Sequence, residues 1–294
     1  MKNFCGLVSI VGRPNVGKST LLNRLLEQKI SITSRKSQTT RNNILGIKTK
    51  GNHQMVFIDT PGVHINASKV MNKVLNQTAI GAIEDADLII FMLQRNKINT
   101  LDELILERLK ATQTKKICVI NKVDQVESIN SLLPVIEKLG SENEFAEIIP
   151  ISAKTGKNIN ELENMICENL PENNHLYDSN TKFLAKESFM ISEIIREKII
   201  RFLGQELPHE TYVQLQKLED NEDIINIDAE IIVARDSQKG IVVGKNGAKL
   251  KKIGEKARID LEKFFNKKVF LKTWVKTKKN WNNDSDFISS LGIG

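Results

Sequence analysis

The octapeptide Gly12-Arg13-Pro14-Asn15-Val16-Gly17-Lys18-Ser19 sits between an apolar run, Leu7 to Val11, and a helix-period segment, Thr20 to Leu26. A G-x-x-x-x-G-K-[ST] loop in that setting demands a strand, a tight turn and a helix in succession, which places the first part of the chain in the α/β class. The glycines let successive backbone N–H groups curl around phosphate oxygens. Gly12, Asn15, Val16, Gly17, Lys18, Ser19 and Thr20 are the lining residues. Lys18 is placed to reach the outer phosphates, and the Ser19 hydroxyl to meet a Mg²⁺ ion.

Further apolar β-rich runs follow at Gln54 to Ile58, Asp87 to Leu93, Ile117 to Ile120 and Ile148 to Ile151, separated by helix-period segments. This alternation predicts βα units on a mainly parallel sheet covered by helices. Leu88 to Leu93 is apolar without interruption, as a strand buried on both faces can be. The polar stretch Pro171 to Asn180 lacks a core pattern and reads as a linker. The chain thus divides into residues 1–170, a linker at 171–180, and a second, α+β domain at 181–294. In that domain the periodicities predict a helix over Phe189 to Leu203, strands at Tyr212 to Leu218 and Ile224 to Val233, a helix from about Gly247 to Phe265, and a last strand, Val269 to Lys276.

The positive charge is concentrated. Residues 235–279 hold 15 Lys and Arg against 4 Asp and Glu, within a chain whose net charge is only +7. Such a block is either a solvated helix face or a polyanion site, and the polyanions to separate are nucleic acid and an anionic membrane. No apolar run approaches the roughly 18 to 20 residues of a membrane span. The opening residues leave no room for a signal peptide before the first strand. Cys5, Cys118 and Cys167 are odd in number and far apart, a pattern of reduced thiols in a cytosolic protein rather than of disulfides or a zinc site.

Three more segments end strands in the order a nucleotide site needs. Asp59-Thr60-Pro61-Gly62 offers a carboxylate to Mg²⁺ through water and a Gly62 amide to the last phosphate. Asn121-Lys122-Val123-Asp124 offers a carboxylate that can accept both the ring N–H and the amine of guanine, and Ser152-Ala153-Lys154 closes the set. Taken singly, each could be a strand-end turn. Together they resemble the boxes of translation-factor-class GTPases, and the resemblance implies a P-loop GTPase domain over residues 4–170. It also implies that a Thr of Gln38-Thr39-Thr40-Arg41 closes on Mg²⁺. Thr40 takes that role, with Thr39 the alternative, so Ser19, Thr40 and Asp59 form the metal set. Many small GTPases carry Gln just after Gly62. Here Val63 stands there, followed by His64, and Val63 cannot polarise water, so slow intrinsic turnover is expected. Lys18, Thr40, Gly62 and Asn15 are the candidate catalytic residues. Asn15 resembles the position that in some GTPases helps hold K⁺ beside the phosphates; otherwise it merely tolerates the turn.

Inside the basic block, Ile241-Val242-Val243-Gly244-Lys245-Asn246-Gly247 followed by a helical run has the arrangement of a KH module, in which a Gly-x-x-Gly loop lets single-stranded RNA backbone approach closely. Gly244, Lys245, Asn246, Gly247, Lys249, Lys251 and Lys252 are the candidate RNA contacts. Phe264, Phe265 and Trp274 could stack on bases, but their apolar spacing reads as core; Trp281 fits neither pattern. A GTPase domain with one C-terminal KH domain, the stretch Ile30 to Arg41 and the ending Trp274 to Trp281 resemble the bacterial Era-type GTPase family over nearly the whole chain. Ser37 departs from the family pattern. The resemblance implies GTP/GDP and Mg²⁺ as cofactors, and as partners the 3′-end region of 16S rRNA and the 30S subunit, whose maturation the protein would assist. It further implies a monomer in the cytoplasm with peripheral contact to the inner membrane. An RNA-binding module with a vestigial nucleotide site, and a GTPase of the membrane surface, are the rival readings.

Overall fold

The computed structural model describes residues 2–28, 30–31, 44–59, 70–95, 97–142, 145–184, 186–203 and 210–290. Thr39, Thr40, Thr60, Pro61, Gly62, Val63 and His64 lie outside them. The first sheet contains β1 (Phe4–Val11), β2 (Ile44–Lys50), β3 (His53–Asp59), β4 (Leu88–Gln94), β5 (Lys115–Asn121), β6 (Glu147–Pro150) and β7 (Phe183–Leu184). Their spatial order is β6-β5-β4-β1-β3-β2-β7. β1 and β3 to β6 run parallel; β2 is antiparallel to both β3 and β7. Helices α1 (Lys18–Leu25) and α5 (Ile159–Asn169) cover one face. α2 (Val70–Glu84), α3 (Thr100–Lys110) and α4 (Leu133–Glu142) cover the other. β4 shows why its sequence could be wholly apolar: Leu88, Ile90 and Met92 join the first core, while Ile89, Phe91 and Leu93 join the second.

Two features differ from the sequence reading. The antiparallel strand β2 was not expected, because Ile44 to Lys50 mixes apolar and basic residues as an outer strand does. The stretch read as a linker also packs. The Pro171 carbonyl accepts from the Cys5 amide at 3.1 Å, and Gln54 Oε1 accepts from the amides of Leu176 and Tyr177 at 2.8 and 3.0 Å. Beyond the expected boundary at residue 181, Phe183–Leu184 still belongs to the first sheet.

The second domain is a three-stranded sheet, β10 (Lys268–Thr277), β9 (Ile224–Val233) and β8 (Thr211–Asp220), in that order. β10 is parallel and β8 antiparallel to β9. Helices α6 (Glu187–Phe202) and α8 (Ala248–Phe265) pack on one face of it, sharing a core of Ile191, Ile195, Ile227, Ile231, Ile253 and Leu261. The apolar run Ile241 to Val243 forms the end of a short helix, α7 (Asp236–Val243). The chain closes with α9 (Ser285–Ser290). Between the domains, Met71 and Leu75 of α2 meet Ile232, Ala234, Trp281 and Ile288 in one buried cluster. Trp281 is fully buried there, and its Nε1 donates to the Glu210 carbonyl at 3.1 Å.

Candidate functional site

β1 lies between β3 and β4, so the winding of the sheet reverses beside it, and the crevice at the carboxyl ends of such strands is where α/β folds hold ligands. The loop after β1 opens into that crevice. Gly17 has φ +114°, and a Cβ there would fall 2.2 Å from Asn121 Nδ2, so only glycine lets the loop meet β5 this closely. Asn121 donates from Nδ2 to the Val16 carbonyl at 2.7 Å and accepts at Oδ1 from the Ala153 amide at 3.0 Å. One side chain thereby ties three of the predicted segments together. Ser152 donates its hydroxyl to Asp124 Oδ1 at 2.6 Å, fixing the carboxylate, and Arg24 of α1 reaches the carbonyls of Ala153 and Lys154 at 3.3 and 2.6 Å.

Lys18 is buried, its ammonium donating to the carbonyls of Gly12 and Arg13 at 2.9 and 3.2 Å, so its charge lies inside the loop it must serve. Ser19 is buried beside it and Thr20 follows on α1. Asp59 ends β3 level with Ile10 of β1, which brings its backbone to the same edge of the sheet as the loop. Hydroxyl and carboxylate oxygens are hard donors, the kind Mg²⁺ prefers, and Ser19 and Asp59 are residues of those types on this edge of the sheet. Lys122 donates to the Asn15 carbonyl at 2.6 Å and to Gln94 Oε1 at 2.5 Å. Burial, together with Arg95 and Arg13 nearby, pushes its ammonium below the ordinary lysine range.

Sequence reasoning missed one pair here. Arg13 Nε donates to Asp102 Oδ2 at 3.0 Å; the carboxylate is fully buried, at the start of α3. The signal was available in Asn99-x-x-Asp102, where each side chain caps the other's backbone amide.

In the second domain Gly244 has φ +73°, and a Cβ on it would lie 2.7 Å from the Cβ of Lys249, so glycine lets α7 turn directly into α8. Lys245, Asn246, Lys251 and Lys252 are exposed, with Lys249 half-buried. Beside them runs a groove of about 390 Å³ between α8 and β10, lined by Gly247, Leu250, Lys251, Gly254, Glu255, Arg258, Leu271 and Thr273. Leu271 and Thr273 were not anticipated, since strand alternation alone does not say which face borders a helix. Phe265 packs against the core as expected. Trp274 does not: it stands on the other face of the sheet, its Nε1 donating to Glu230 Oε1 at 2.9 Å. Among the described residues no helix is long and apolar enough to cross a membrane.

A Gly-x-x-x-x-Gly-Lys-Ser loop joined through Asn121 to the turns at Asp124 and Ala153, and a Gly-x-x-Gly module on the same chain, define a P-loop GTPase with an appended KH domain. Comparison with known proteins agrees. Residues 7–122 match the 50S ribosome-binding GTPase family and residues 206–282 the KH domain family. GTPase Era of Glaesserella parasuis is 47% identical over 292 residues, 99% of this chain and 97% of that protein. GTPase Era of Coxiella burnetii is 47% identical over 290 residues, covering 99% and 98%. Among solved structures, Era in complex with MgGDPNP and nucleotides 1506–1542 of 16S ribosomal RNA superposes with a TM-score of 0.96 at 36% identity, over 99% of both chains. A variant of Aquifex aeolicus Era bound to GDP and aluminium fluoride gives 0.95 at 35% identity, over 100% of both. The chain belongs to the GTPase Era family.

Proposed function

We propose that this protein binds and hydrolyses GTP with Mg²⁺ and uses its KH domain to hold the 3′-end region of 16S rRNA during small-subunit maturation. The observation that carries the nucleotide half is the knot at Asn121: it fixes the loop at Val16 and the turn at Ala153, while Ser152 orients the Asp124 carboxylate. The site therefore presents a guanine acceptor and a phosphate cradle in fixed relation. Lys18 and the amides of Gly17 to Thr20 would neutralise the phosphates; Ser19 and Asp59, with Thr40, would hold Mg²⁺, which supplies further charge neutralisation when bound. Two relatives in the family, one crystallised with MgGDPNP and an rRNA segment and the other with GDP and aluminium fluoride, support the reading.

Asp124→Asn reverses one hydrogen-bond polarity at the base. GTP affinity should fall by about tenfold to a hundredfold, the worth of a charged hydrogen bond, while xanthosine triphosphate gains; unchanged selectivity in competition binding would remove Asp124 from the site. The backbone carbonyl of Asn15 is already engaged by Lys122. Its side-chain amide oxygen is therefore the group we assign to K⁺. Exchanging K⁺ for Na⁺ should slow hydrolysis in the wild type and matter little in Asn15→Ala, and equal rates in the two salts would end that assignment. We place the protein in the cytoplasm as a monomer. The exposed lysines of α8 also suit an anionic inner-membrane surface, which co-sedimentation with anionic vesicles tests.

A further inference from the structure

β10 has two working sides. Among the described residues it is an edge strand, paired with β9 alone. Side chains alternate along a strand, so Leu271 and Thr273 line the groove against α8 while Lys268, Phe270, Lys272 and Trp274 stand on the outer face. Phe270 is 56% exposed, more than any other large apolar side chain among the described residues. The Val269 amide donates to Glu262 Oε1 at 3.4 Å, near the end of α8, so Phe270 stands at the end of the groove remote from the Gly244–Gly247 loop.

The charges around Phe270 favour phosphate. Lys268 and Lys272 flank it on the same face and are in no ion pair with a described residue. The Lys272 ammonium lies 5.9 Å from the Trp274 ring centroid. Opposite them on β9 the partners are Asn226 for Phe270, Asp228 for Lys272 and Glu230 for Trp274. Glu230 is occupied, accepting from Trp274 at 2.9 Å and lying 3.8 Å from Lys276, which leaves Asp228 as the carboxylate closest in register. Lysines on an edge strand ordinarily guard against strand pairing. That role explains Lys268 and Lys272 but not an exposed phenylalanine between them, which would invite pairing.

A KH groove clamps about four nucleotides. If the groove holds RNA, as the proposed function requires, a longer strand must leave it, and this face adjoins its far end. We propose that RNA leaving the groove away from the Gly244–Gly247 loop bends over the β10 edge, stacking one base on Phe270 while Lys268 and Lys272 meet the flanking phosphates. An aromatic face between two cations is the recurring platform for unpaired bases.

The test uses the full chain and single-stranded RNAs cut from the 3′ end of 16S rRNA, about 6 and about 20 nucleotides long, the shorter only slightly exceeding the groove. Phe270→Ala/Lys272→Glu should bind the short RNA as the wild type does and the long one about tenfold more weakly, with a shallower salt dependence. Phe270→Ala alone should weaken long-RNA binding and Phe270→Tyr should keep it at the wild-type level, showing that the ring counts apart from Lys272. Equal affinity of the double variant and wild type for the long RNA, or equal loss at both lengths, overturns the proposal. So does a loss confined to anionic vesicles, which would make the face a lipid surface. Lys245→Asp/Asn246→Asp, tested beside it, reports on the groove itself: if that variant binds both RNAs normally, the RNA reading of the groove has failed, whatever Phe270 does.

Discussion

Asp102, paired with Arg13 of the phosphate loop, carries a tension between burial and charge. It is fully buried, one oxygen accepts from Arg13 at 3.0 Å and from the Asn99 amide at 3.1 Å, and the other has no hydrogen-bond partner among the described residues. Burial raises its carboxyl above the ordinary value of 3.8, against the lowering pull of the Asn99 amide and Arg13. A raised value in the folded state means that the folded protein binds this proton more tightly than the unfolded chain. The resulting stabilisation is fully present below pH 3.8 and is lost as pH rises through the raised value. Asp102→Asn keeps an oxygen for Arg13 and for the cap but cannot titrate. The stability of the wild type relative to this variant, measured by denaturant unfolding, should therefore grow as pH falls across that window; a pH-independent difference would show that Asp102 does not titrate there. The same residue explains a limit of sequence reading. Asn99-x-x-Asp102 announces a helix start, but nothing local says that its carboxylate will meet Arg13, 89 positions away.

Elements were legible in proportion to how uniform their surroundings are. β4 and β5 have uninterrupted apolar middles, Leu88 to Leu93 and Ile117 to Ile120, buried on both faces, and were read within a residue or two of their bounds. The order of the nucleotide segments was legible for a related reason: each follows a strand, and parallel strands bring their carboxyl ends together wherever they lie in sequence. β2 was not legible, because its seven residues mix Gly46 and two lysines with apolar residues and show neither a continuous apolar run nor a clean alternation. The apolar run Ile241 to Val243 carried no assigned conformation of its own, because Gly240 and β-branched residues favour extended backbone; with Val242 packed into the core it ends the helix α7. Trp274 was misplaced and Trp281 left unassigned for want of partners visible in sequence. Trp274 lies on an outer sheet face, whereas Trp281 is buried by α2, an element more than 190 positions earlier.

At the scale of the whole molecule, that contact joins the two activities. α2 follows the segment Asp59 to Gly62 that would sense the last phosphate of GTP, and its Met71 and Leu75 pack against Trp281, at the end of the KH domain, and Ile288 beyond it. A displacement of α2 tied to nucleotide state must be accommodated by this cluster, which is close-packed and so favours discrete arrangements over gradual deformation. GTP can then alter RNA binding only to the extent that RNA prefers one arrangement. A GTP analogue should tighten RNA binding relative to GDP by a coupling of about 1 to 3 kcal/mol, and RNA should tighten the analogue by the same factor. Met71→Ala touches neither ligand and loosens the cluster. It should bring the ratio of RNA affinities in the two nucleotide states toward one, while GTP affinity in the absence of RNA changes little. Titrating the 3′-end RNA against both nucleotide forms of wild type and variant decides it: equal affinities in the wild type would leave two independent modules on one chain, and an undiminished ratio in Met71→Ala would route the coupling elsewhere than through α2.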